Sequence, residues 1–65
     1  MKLYVLLRED FSHIATVTGP EIEVTQFVDI HFPHGIFDEY EITTIANCVN
    51  AQFDINPDAE MIDLS

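Results

Sequence analysis

Glu21-Ile22-Glu23-Val24-Thr25-Gln26-Phe27-Val28-Asp29-Ile30-His31-Phe32 is the stretch on which the fold turns. Ile22, Val24, Val28, Ile30 and Phe32 alternate with Glu21, Glu23, Thr25, Phe27, Asp29 and His31, and only Gln26 breaks the pattern. A helical pattern is present as well, because Val24, Phe27, Val28 and His31 follow i, i+3, i+4, i+7. The period near two and the β-branched content favour a strand, bent near Gln26.

Upstream, Lys2 to Arg8 is aliphatic and short, which predicts a strand; Glu9 to Ser12 reads as its turn. His13 to Thr18 predicts a second strand, closed by Gly19-Pro20, and the two form an antiparallel hairpin. Downstream, Pro33-His34-Gly35 ends the alternating stretch. Asp38 then fits a helix N-cap, with Glu41 completing a capping box and Phe37 and Ile42 placed as a hydrophobic staple. Ile42, Ile45, Ala46, Val49 and Phe53 give that helix its apolar stripe, and Asn56-Pro57 cannot continue it. Residues 59–64 read as a short edge strand or a frayed tail. The fold class expected is α+β, one domain over residues 1–65. Its three-stranded antiparallel sheet, four-stranded if the last segment joins, packs against one amphipathic helix.

The 65 residues carry 12 acids and 2 bases, a net charge of −10, and no Lys or Arg occurs after Arg8. Phosphate binding depends on Lys and Arg, so direct nucleic-acid binding is excluded, and an anionic membrane repels the chain. An apolar content of 48% argues against disorder despite the charge. The apolar run Leu3–Leu7 is too short for the core of a signal peptide or a membrane span, so a cytoplasmic location is expected. Lone Cys48 cannot form a disulfide within the chain and reads as a packed helix residue.

Chemistry finds few supports. Asp54-Ile55-Asn56-Pro57-Asp58-Ala59-Glu60 resembles the start of a calcium loop. The pattern needs Gly sixth and Glu twelfth, where this chain has Ala59 and Ser65. Asp29, His31 and His34 are suitable metal ligands by type, but their spacing matches no zinc signature. No nucleophile elbow or Gly-rich phosphate loop occurs, and 65 residues enclose little pocket. No enzyme activity and no cofactor are expected.

The acids themselves are the best candidates for function. On a strand, Glu21 and Glu23 stand about 6.7 Å apart, close to every second phosphate of a DNA strand. Asp29 continues that face, Phe27 offers an apolar anchor within it, and Asp38, Glu39 and Glu41 cluster at the predicted helix start. This set suits a basic surface on a nucleic-acid-handling protein. The bland alternative is a solvated shell that keeps the chain soluble. A different function class is a non-enzymatic structural or assembly subunit, homodimeric, using the uncharged helix face Thr43, Thr44, Asn47, Asn50 and Ala51. A halophilic origin would explain the acidity without any partner.

In size, charge and compact α+β character the chain resembles the small acidic inhibitors encoded by phages and mobile elements. These include DNA mimics that block restriction enzymes, CRISPR effector complexes, RNA polymerase or DNA-repair enzymes. The resemblance is one of profile; no motif carries it and no residue is matched.

Overall fold

The computed structural model describes residues 1–44 and 54–65. Strands β1 (Lys2–Leu7) and β2 (His13–Thr18) form the expected antiparallel hairpin, with Leu3 opposite Val17 and Val5 opposite Ala15. Helix α1 (Glu21–His31) follows, then β3 (Tyr40–Thr43) and β4 (Glu60–Asp63). The sheet order is β3-β1-β2-β4; β3 runs antiparallel to β1, and β4 runs parallel to β2. The α+β class holds. Among the described residues the sheet is four-stranded and mixed: the last segment joins it as the expected possible fourth strand, but parallel to β2, which corrects the all-antiparallel arrangement.

The deciding stretch is a helix. Strands β1 and β2 point Leu3, Val5, Ala15 and Val17 to one face, and that apolar face needs a cover rather than another strand. Wound as α1, the stretch supplies one: Val24 and Val28 are buried in the same cluster, and Phe27 packs against it. Glu21 and Glu23 in the first turn complement the helix dipole. Pro20 opens the helix without a side-chain cap, its carbonyl accepting from the Val24 amide at 2.9 Å. Gln26, the misfit of the strand reading, sits on the exposed outer face with Ile22 and Ile30. Those two isoleucines, 70% and 75% exposed, created the false period of two.

The second correction concerns Asp38. It caps no helix, because Tyr40–Thr43 is β3, with Ile42 opposite Val5 and Glu41 opposite Leu6. Phe37 staples nothing and is 98% exposed. The remainder of the predicted helix, with Ile45, Ala46, Asn47, Cys48, Val49, Asn50, Ala51 and Phe53, lies outside the described residues. Of its polar face, Thr43 is buried in β3 and Thr44 is exposed.

A bulge in β2 shapes the other sheet face. Leu6 pairs with His13 while Val5 pairs with Ala15, leaving Ile14 as the extra residue. Residues i and i+3 of a regular strand point to opposite faces; the bulge returns His13 to the face of Thr16. His13 Nε2 lies 2.7 Å from Thr16 Oγ1. The Asn56 amide donates to His13 Nδ1 at 3.0 Å, and its side-chain amide donates to the His13 carbonyl. Because Nδ1 accepts, the proton sits on Nε2 and is donated to Thr16.

Burial holds the His13 pKa below its ordinary value, a backbone hydrogen bond at Ala15 opposing in part. The unfolded chain therefore takes up this proton at higher pH than the folded one. His13 stabilises fully above about pH 6.5, and that contribution falls as pH drops through 6.5 towards the lower folded pKa. Urea midpoints at pH 8 and pH 5 should show a larger drop for the wild type than for His13→Gln. Equal drops would contradict a neutral, buried His13.

Candidate functional site

Strand directions decide where the charge goes. The β1–β2 turn, the end of α1, the loop into β3 and the segment leading into β4 all lie at one end of the sheet. Glu9 and Asp10 occupy the first, Asp29 the second, and Asp38 and Glu39 the third, with Glu41 just inside β3 opposite Leu6. Asp54 and Asp58 belong to the fourth, tied to the start of β2 through Asn56, and Glu60 opens β4. Only Glu21, Glu23 and Asp63 lie towards the other end, with Lys2 and the N-terminus. Nine of the twelve acids thus share one end.

Arg8, the one base at that end, pairs with no carboxylate. Its Nε donates to the Asp38 carbonyl at 3.1 Å and its terminal nitrogen to the Tyr40 carbonyl at 3.4 Å. Its amide donates to the Glu39 carbonyl at 2.9 Å. The guanidinium is spent on bracing the loop before β3 against the β1–β2 turn. The described residues hold every Lys, Arg, Asp and Glu, and among them no carboxylate pairs with Lys or Arg; the one close contact of a carboxylate with a histidine ring is His34 Nε2 with Asp29 Oδ1, at 3.4 Å. With so little internal pairing, the negative field at this end is left open to solvent.

The sequence-predicted site residues are redistributed. Glu21 and Glu23 are exposed but two positions apart on a helix, so they point to different sides, and the phosphate-like spacing of a strand is lost. Asp29 is a helix length away from Glu21, at the acid-rich end. Phe27 is half-buried against the core, its ring 4.3 Å from His31 and 6.2 Å from Phe32, and presents no free anchor. Asp38 and Glu39 are exposed and adjacent at the acid-rich end. Glu41 is half-buried in β3, and its Oε2 is shut from water without a hydrogen-bond partner. His31 stacks on Phe27 while His34 turns back to Asp29. No group of three His, Cys, Asp or Glu side chains suited to a metal occurs among the described residues.

Sequence reading missed Arg8 as a brace and two apolar turn tips beside the acids. Phe11 is 49% exposed with a φ of 58°, a left-handed conformation that glycine or asparagine adopts far more readily. Ile36 and Phe37 are the central residues of the turn closed by the Asp38 amide on the Gly35 carbonyl at 3.3 Å. Gly35 and Asp38 flanking two apolar residues are turn-forming types that could have marked the second tip; the left-handed Phe11 leaves no such trace.

No family model matches the chain, and no curated protein or solved structure matches it significantly. No helix among the described residues is long and apolar enough to cross a membrane.

Proposed function

We propose that this chain is a non-enzymatic inhibitor or decoy that sets its acid-rich end against a basic, nucleic-acid-binding surface of a partner protein. The observation that carries this reading is the concentration of nine acids at one end, none paired with Lys or Arg among the described residues. A charge distribution with this direction steers a basic partner to one end of the molecule and speeds encounter. A solvating shell would need no such polarity. Spacing along α1 plays no part in the reading; the end of the sheet does.

Affinity capture from a bacterial lysate at low and high salt, with mass spectrometry, tests it. The expected capture is a nucleic-acid-handling protein, retained at low salt, weakened by high salt and displaced by competing DNA or RNA. A captured partner indifferent to nucleic acid would contradict the decoy reading.

Exposed Ile22 and Ile30 on the outer side of α1 favour a second reading, a homodimeric assembly subunit. Sedimentation equilibrium at micromolar concentration decides it. A single 7.4 kDa species throughout removes the dimer.

A further inference from the structure

We infer that the two apolar turn tips at the acid-rich end, Phe11 and Ile36–Phe37, are anchors for apolar depressions bordered by Lys and Arg on a partner protein. The inference rests on the decoy reading and adds to it the contacts that would hold the partner once charge has brought it in.

Turn tips normally carry Gly, Pro, Asn, Asp or Ser, whose conformational and hydrogen-bonding properties suit them. Here Ile36 is 81% and Phe37 98% exposed, so neither side chain contributes burial to folding. Phe11 is held at positive φ, where an aromatic residue is strained, and its turn is closed by the Phe11 amide on the Leu7 carbonyl at 2.7 Å. Strain of this kind persists where the surroundings enforce it and clusters at functional positions. The tips are also joined. Arg8, from the first turn, bonds the backbone of Asp38, Glu39 and Tyr40 beside the second. Bracing the tips before binding lowers the ordering cost of association.

Charge chooses the occupant. Glu9 and Asp10 precede Phe11 in its turn; Asp38 and Glu39 follow Phe37 directly. A second copy of this chain would bring the same acids against them, and an anionic membrane would repel them. A basic protein with apolar recesses satisfies both the rings and the carboxylates, the rings setting dissociation and the acids setting association.

The test replaces Phe37 with photo-reactive p-benzoylphenylalanine, irradiates the protein in a bacterial lysate at physiological salt and sequences the cross-linked peptide. Kinetics on the purified partner then compare the wild type with Ile36→Ser, Phe37→Ser, Phe11→Asn and the pair Asp38→Asn/Glu39→Gln. The expected adduct is a partner peptide containing apolar residues beside Lys or Arg. Each tip variant should raise the dissociation rate about tenfold, as truncation of a buried interface anchor does, with melting unchanged within about 4 °C. Asn at position 11 suits the left-handed backbone, which keeps that variant folded.

Absence of an adduct, an adduct only to a second copy, an adduct peptide without basic residues, or unchanged dissociation would each overturn the inference. If the tip variants dissociate like wild type while the acid pair still slows association, the tips fall and the decoy reading stands. If neither set changes the kinetics, both fall.

Discussion

Val24→Asp should remove much or all of the protein's stability, whereas Ile22→Asp should leave it within about 0.5 kcal/mol of wild type. Val24 is fully buried between α1 and the sheet, among Leu3, Val5, Ala15, Val17 and Val28. A carboxylate there has no cation to meet, and an uncompensated buried charge costs about 3–5 kcal/mol. A chain of this length has a total stability of roughly 3–10 kcal/mol, so the loss consumes much or all of it. Ile22 lies two positions away and is mostly solvent-exposed, in a first helical turn that favours acids. In a strand the two residues would share a face and respond alike. Circular dichroism and urea titration of both variants separate the two geometries; equal loss at both sites would contradict the helix.

Gly19→Val should cost about 2–5 kcal/mol, from backbone strain and overpacking together. Gly19 has a φ of 146°, a conformation L side chains rarely adopt. A Cβ there would stand 3.0 Å from the Leu64 Cβ and 3.3 Å from its carbonyl carbon. Leu64 is fixed by its amide, which donates to the Thr18 carbonyl at 2.8 Å, next to the parallel pairing of β4 with β2. Relief therefore requires β4 to move away from β2. The Gly19 amide and carbonyl also bond the Met1 carbonyl and amino group, tying β1's start to the same corner. Leu64→Ala should rescue Gly19→Val poorly, because the crowded atoms are Cβ and backbone, which Ala retains. Urea midpoints of the single and double variants measure this. Full rescue would mean that side-chain bulk beyond Cβ, rather than backbone conformation, sets the cost.

The hairpin was legible because β1 and β2 are dense in β-branched and aliphatic residues and are bounded by strong turn signals, Glu9 to Ser12 and Gly19-Pro20. Its bulge was not, since nothing in His13-Ile14-Ala15-Thr16 marks which residue is left unpaired. The α1 stretch reads as a strand because Ile22 and Ile30 carry apolar side chains into water, imitating a strand's alternation. The choice was made by the sheet, whose face of Leu3, Val5, Ala15 and Val17 demanded a covering layer that local propensity cannot express. Tyr40 to Thr43 went the other way: Asp38 and Glu41 form a capping-box pattern, yet pairing with β1 wins over it. At the candidate site, the acids were legible as composition, and their gathering at one end was not. It depends on the directions of β3 and β4, which the sequence pattern leaves open. Helix geometry then separated Glu21 and Glu23 from Asp38 and Glu39, and turned Phe27 inward.

If the chain acts as a decoy, its acid-rich end, rather than net charge as such, brings the partner in. Two double variants test it by changing the charge equally at the two ends: Asp38→Asn/Glu39→Gln at the acid-rich end and Glu21→Gln/Glu23→Gln at the other. Their association rates with the captured partner, measured by stopped flow at low and moderate salt, are the direct measurement. The first pair should slow association about tenfold at low salt and flatten its salt dependence, while the second changes it less than about twofold. Equal slowing by both pairs, or none by the first, would rule out steering by the acid-rich end.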